Sequence, residues 1–189
     1  MKKQLFVFVL VVGLSACGGG SSNSGDGSSN SDFKILSSSY SEGEAIPLKY
    51  VCNRLGGSNI SPQYSWHSPP SDTSSYAVIM DDEVAPCGSG DDACRHWAVF
   101  NIPSSVTSLV EDLDISTIQG ATVGENYNGG LGYEGPCPPN SHTYKTTVYA
   151  LGSNMPTVSA NQAYTRSEFQ SQYSQHIAGS ATISGVFTP

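Results

Sequence analysis

One carboxylate and two imidazoles carry the chemistry within reach of this chain: Asp82, His96 and His142. Asp82 follows the run Tyr76-Ala77-Val78-Ile79-Met80, His96 opens the run to Ile102, and His142 precedes Tyr144 to Leu151. All three runs are short and rich in β-branched and aromatic residues, so the three groups stand at strand ends. If the first two strands pair as antiparallel neighbours, Asp82 and His96 leave the same end of the sheet and lie close together. Such a set can hold a small anion through charged donors, ligate a metal as a two-histidine, one-carboxylate triad, or exchange protons. Imidazolium donors would make anion affinity rise as pH falls through the usual histidine range near about 6.5. Ser141 beside His142 invites a Ser-His-Asp triad, but neighbouring strand residues face opposite sides, and no G-x-S-x-G elbow is present. His67 reads as a surface residue, His176 as a helix residue with no role, and Trp66 and Trp97 as core.

The elements that must position these groups are mainly strands. Ala181 to Phe187 adds a further one, with Thr182, Ser184 and Val186 alternating against Ile183, Gly185 and Phe187. One helix is predicted near the C-terminus. Thr165-Arg166-Ser167-Glu168 has the capping-box pattern, Phe169, Tyr173 and Ile177 recur on one face, and Gly179 stands where a C-terminal cap belongs. It is expected to cover one side of the sheet. The Gly- and Pro-rich segment from Gly129 to Asn140 is suited to a pocket wall.

The N-terminus specifies location. Lys2 and Lys3 precede the apolar run Leu5 to Leu14, and Leu14-Ser15-Ala16-Cys17 is a small-residue cleavage site ending in cysteine. The run is shorter than the roughly 20 residues a membrane-spanning helix needs. Residues 1–16 therefore read as a signal peptide, and the ending resembles the lipobox of bacterial lipoproteins, which implies acylation of Cys17. An ordinary secretory signal is the competing reading. Residues 17–32 form a Gly/Ser/Asn tether that cannot bury enough apolar surface to fold. One domain follows, residues 33–189. Gly18 after the cysteine, by the same resemblance, points to the outer membrane. The formal net charge is −8 from 8 basic and 16 acidic residues; loss of Lys2 and Lys3 takes it to −10. That balance excludes a nucleic-acid-binding surface and broad electrostatic contact with anionic lipid.

Beyond Cys17 there are four cysteines, which suits an oxidising compartment and allows three pairings. No C-x-x-C pair points to zinc. Cys87 and Cys94 bracket a short polar loop and are natural partners, which leaves Cys52 with Cys137.

Several motifs occur in order along the domain: Asn59-Ile60-Ser61-Pro62 then Trp66, the Asp82 to Pro86 turn, His96-Trp97 running into Asn101-Ile102-Pro103, and Gly132-Tyr133-Glu134-Gly135-Pro136-Cys137-Pro138-Pro139 leading to His142 and Tyr144. Together, from about Phe33 to Phe187, they resemble the phosphatidylethanolamine-binding proteins, and within them the bacterial Raf kinase inhibitor-like branch. The resemblance implies a mainly β fold, a sandwich of a large antiparallel sheet packed on a smaller one with a C-terminal helix. It also implies a small anion-binding pocket formed by Asp82, His96 and His142 with Pro138 and Tyr144 nearby, and it supports pairing Cys52 with Cys137. Three positions depart from the family pattern. Val84 replaces the second aspartate of the Asp-Pro-Asp-x-Pro turn, Arg95 precedes the first histidine, and Thr143 stands where arginine usually follows the second. The first change removes a carboxylate that could face an ethanolamine ammonium.

The expected function is a non-catalytic, lipid-anchored envelope protein that binds phosphate, a phosphomonoester or a phospholipid headgroup and requires no cofactor or structural metal. Export removes cytoplasmic kinases as targets, so a protein-interaction or inhibitory role would concern an envelope or extracellular protein. A metal-dependent enzyme using Asp82, His96 and His142 is the third class.

Overall fold

Short apolar segments punctuated by Pro, Gly and Asn pair into two antiparallel sheets in the computed structural model, which describes residues 33–189. The expected signal peptide, Cys17 and the expected tether lie outside the described residues. The smaller sheet runs in the order β1 (Lys34–Leu36), β2 (Tyr64–His67), β5 (Ser108–Leu109). The larger runs β6 (Thr122–Val123), β4 (Cys94–Pro103), β3 (Ser75–Asp82), β7 (His142–Leu151), β8 (Ile177–Phe187). The mainly β sandwich with one helix therefore matches the expected fold, and β3 and β4 are antiparallel neighbours as expected.

Alternation along β3 explains the layering. Tyr76, Val78 and Met80 face the smaller sheet and join Trp66, Trp97, Val99 and Leu109 in the main core. Trp66 meets the Tyr76 ring edge-on at 5.1 Å, and both tryptophans are buried as read from the sequence. Ala77 and Ile79 face the other way, onto α1 (Arg166–Tyr173). Phe169 of α1 is fully buried there, stacked at 5.8 Å on Phe100 and 5.0 Å from Tyr149. Truncating such a ring to alanine typically costs about 3 to 5 kcal/mol.

The helix begins as predicted. Thr165 Oγ1 accepts from the Glu168 backbone N–H at 3.1 Å, and Glu168 Oε2 accepts from the Thr165 N–H at 2.7 Å. Its end is earlier than expected. Ser174–His176 tighten into a 3-10 turn, and Ile177 and Gly179 already belong to β8, where they pair with Leu151 and Ala150. The four-residue recurrence of Phe169, Tyr173 and Ile177 thus crosses an element boundary, because ladder bonds to β7 outcompete one more helical turn. The predicted strands also extend beyond their sequence limits, and Asp82 is the last residue of β3.

Candidate functional site

The ends of β3, β4 and β7 come together at one edge of the large sheet. Asp82 is opposite Cys94 on one side and Tyr144 on the other. A cavity of about 110 Å³ opens there, lined by Asp82, His96, His142, Pro138 and Tyr144 together with Pro86, Cys87, Cys94, Tyr127, Cys137 and Pro139. All five residues expected at the pocket are present in its lining.

His96 arrives by an irregularity that alternation alone does not supply. Met80 pairs with Trp97 and Asp81 with Arg95, so the ladder skips His96. The extra residue is a β-bulge, and it lets adjacent His96 and Trp97 both turn toward the face that carries Met80 and Asp82. Its Nδ1–H donates to the Glu134 carbonyl at 2.7 Å, while the Glu134 N–H donates to the His96 carbonyl at 2.8 Å. Tyr144 meets the imidazole edge-on at 5.0 Å, and Tyr127 lies 4.9 Å away. Burial pushes the His96 pKa down to about 4, against the smaller opposing effects of the Glu134 carbonyl and Asp82. The ring is therefore neutral at neutral pH and presents Nε2 as an acceptor. This corrects the expectation of a charged His96 with a transition near the ordinary histidine value.

Asp82 and His142 form the direct pair. His142 Nδ1–H donates to Asp82 Oδ2 at 2.5 Å, and both side chains are 2% exposed. The other carboxylate oxygen accepts from the Val84 N–H at 2.8 Å. The residue that replaces the family's second aspartate thus still orders the first through its backbone. His142 Nε2 is buried and has no hydrogen-bond partner among the described residues. Burial and the Asp82 charge raise the Tyr144 phenol well above its usual range, so it stays a neutral hydroxyl. Ser141, just ahead of β7, bonds instead to Thr188 Oγ1 at 2.9 Å.

Both predicted disulfides form, Cys52 with Cys137 and Cys87 with Cys94, and three of the four cysteines line the cavity. The wall from Gly135 to Pro139 is fixed by its backbone. Gly135 N–H donates to Asn59 Oδ1 at 2.7 Å, and a Cβ at Gly135 would lie 2.3 Å from the Tyr50 carbonyl oxygen, so only glycine fits.

On the opposite face of β3, Asp81 anchors the helix. It accepts from Arg166 Nε at 2.6 Å and from the Arg166 backbone N–H at 2.8 Å. Arg166 also donates to Glu83 Oε2 at 3.0 Å, and Lys145 Nζ reaches that oxygen at 2.9 Å. Adjacent aspartates therefore serve two sides of one strand. Val84, Arg95 and Thr143 are all absent from the cavity lining, so none of the three departures from the family pattern lines it, and Val84 acts on it only through its backbone N–H to Asp82. The sequence reading missed Asp81, Glu83, Arg166, Tyr127 and the Glu134 carbonyl. Only the doublet Asp81-Asp82, read against strand alternation, carried a local signal. Among the described residues no group of three or more His, Cys, Asp and Glu side chains is arranged to hold a metal ion.

A family model described as phosphatidylethanolamine-binding protein matches residues 36–188. A UPF0098 protein of Aquifex aeolicus is 40% identical over 113 residues, a match spanning 59% of this chain and 62% of that relative. A UPF0098 protein of Methanothermobacter thermautotrophicus is 33% identical over 158 residues, spanning 82% of this chain and 98% of the relative. The crystal structure of Escherichia coli YbcL, described as a new member of the mammalian PEBP family, matches with a TM-score of 0.73 at 30% identity. That match covers 84% of this chain and 99% of YbcL. None of these descriptions names an enzyme class.

Proposed function

The chain belongs to the phosphatidylethanolamine-binding protein family, and on that premise we propose that it is a non-catalytic, lipid-anchored envelope protein whose cavity binds a small phosphorylated ligand. The ligand is phosphate, a phosphomonoester or a phospholipid headgroup. The observation that carries this reading is the buried, unpartnered Nε2 of His142, fixed in place by Asp82. A buried polar atom without a partner is costly, and a ligand oxygen at the cavity floor removes that cost.

The two imidazoles take unlike roles. In the complex His142, held on a carboxylate at Nδ1, donates from Nε2 to the anion. His96 is neutral and accepts at Nε2. One donor beside one acceptor suits a phosphate that retains one proton, with Tyr144 supplying a further hydroxyl. Affinity is then expected to fall as pH rises through the second ionisation of the ester, near about 6. A metal site gives the reverse trend, because ligand imidazoles must be deprotonated. Among the described residues no helix is long and apolar enough to cross a membrane, so the anchoring reading rests on the Cys17 lipobox.

The test is an NMR titration of inorganic phosphate and O-phosphoethanolamine into the wild-type and His142→Ala proteins across about pH 5.5 to 8, the span in which phosphate and imidazole ionise. Binding that weakens with rising pH and disappears in His142→Ala is expected. Absence of binding throughout, or binding unchanged in the variant, would refute the anion-pocket reading.

A further inference from the structure

A second cavity of about 460 Å³ adjoins the first and shares Tyr127 and Cys137 with it. Apart from Cys52, the disulfide partner of Cys137, its remaining lining is polar: Asn53, Arg54, Asn59, Asn128 and Glu134. Arg54 is set in place by donation from its guanidinium to the Cys137 carbonyl at 2.8 Å, and Asn59 Nδ2 lies 3.5 Å from Glu134 Oε2. Tyr127 stands between the cavities. Its phenol is raised chiefly by partial burial, with Glu134 and Asp82 adding to that and Arg54 opposing it. Groups from both cavities thus act on one ring.

We infer that the ligand extends beyond its phosphate, and that the second cavity receives a neutral, hydroxyl-rich portion, making the ligand class a phosphorylated sugar or polyol. This rests on the anion reading of the first cavity. The charges of Arg54 and Glu134 cancel, so a second anion would meet Glu134 and an ammonium would meet Arg54. Hydroxyls face no such conflict, because each can both donate and accept. The wall offers fixed acceptors at the Glu134 carboxylate and the amide carbonyls, and fixed donors at the Arg54 guanidinium and the amide NH₂ groups. Asn53, exposed beside Arg54, makes no side-chain hydrogen bond among the described residues and is free to serve as either. The wall that the cavities share at Tyr127 and Cys137 places the phosphate and the polyol next to each other, as they are in a phosphomonoester.

Calorimetric titration of the folded domain with inorganic phosphate, O-phosphoethanolamine and glucose 6-phosphate tests this. Two added neutral hydrogen bonds correspond to about tenfold. Glucose 6-phosphate is therefore expected to bind about tenfold more tightly than phosphate or O-phosphoethanolamine. The double substitution Asn53→Ala, Arg54→Gln should erase that preference while leaving phosphate affinity unchanged. Phosphatidylcholine vesicles doped with phosphatidylinositol 4-phosphate separate the sources: capture of these vesicles at a similar gain assigns the polyol to a lipid headgroup, and a gain confined to glucose 6-phosphate assigns it to a soluble ester. Equal affinity for phosphate and both phosphorylated polyols, or a preference that survives the double substitution, would overturn the second subsite alone. Failure of every phosphate to bind would overturn the anion reading and the subsite together.

Discussion

Acidification should destabilise this domain through His96. The residue is only 3% exposed, and its folded pKa of about 4 lies below the ordinary 6.5 of an exposed chain. Between those values the unfolded state takes a proton that the folded state refuses, so stability is complete above about pH 6.5 and falls as pH drops toward 4. At about 1.4 kcal/mol for each pH unit of difference, the loss is on the order of 3 kcal/mol. Other groups titrate nearby with mixed signs. Burial raises Asp81, which opposes the loss, and the Lys145 contact lowers Glu83, which adds to it below its usual range. A comparison with His96→Asn isolates the histidine. Asparagine retains a donor for the Glu134 carbonyl and carries no proton-linked charge. Urea denaturation of both proteins at intervals from about pH 7 to 4 should show the variant starting less stable but losing about 3 kcal/mol less over that range. Parallel curves for the two proteins would refute the reasoning, since the acid sensitivity would then lie elsewhere. Saturating phosphate should also flatten the wild-type curve, because the bound state retains protons the empty folded state refuses.

Removing the long disulfide through Cys52→Ser and Cys137→Ser should cost about 4 to 5 kcal/mol by the chain-entropy model, given its sequence separation of 85. Removing the Cys87 to Cys94 bridge, with a separation of 7, should cost about 2 kcal/mol; guanidinium midpoints of the two variants check the order. Arg166→Met leaves the carboxylate of Asp81, 1% exposed, without its cation and should destabilise by about 3 kcal/mol or more. Restoring much of that stability with a second change, Asp81→Asn, would show that the cost was an unpaired charge. Cys17→Ser should abolish incorporation of a palmitate analogue in cells, and label retained in the variant would rule out this lipidation site.

Strand positions, the helix start, the disulfides and the cavity residues were legible because each rests on local pattern or on motifs that occur in a fixed order. The capping box at Thr165 to Glu168 needs only four residues to declare itself. The helix end was not legible, because Ile177 fits both the apolar face of a helix and the first rung of β8, and the choice depends on β7, distant in sequence. The charge state of His96 was hidden for a similar reason. Spacing brings it near Asp82, but its burial comes from Tyr144 of β7 and from Tyr127 and the Glu134 segment, which arrive by loops with no periodicity. The Asp81 to Arg166 pair joins residues 85 apart in the chain and had no signature beyond a doublet of aspartates.

The unpaired residue His96 in β4 has a consequence for how this sheet tolerates change. On one side of His96 the strand keeps step with the cavity, on the other with the hydrophobic interior, and the skipped rung is the gear change between them. Substitutions leave that phase intact, whereas loss of a single residue between Cys94 and Trp97 would heal the ladder and carry the imidazole out of the pocket with the interior undisturbed. Length, more than composition, is the property this short stretch must preserve.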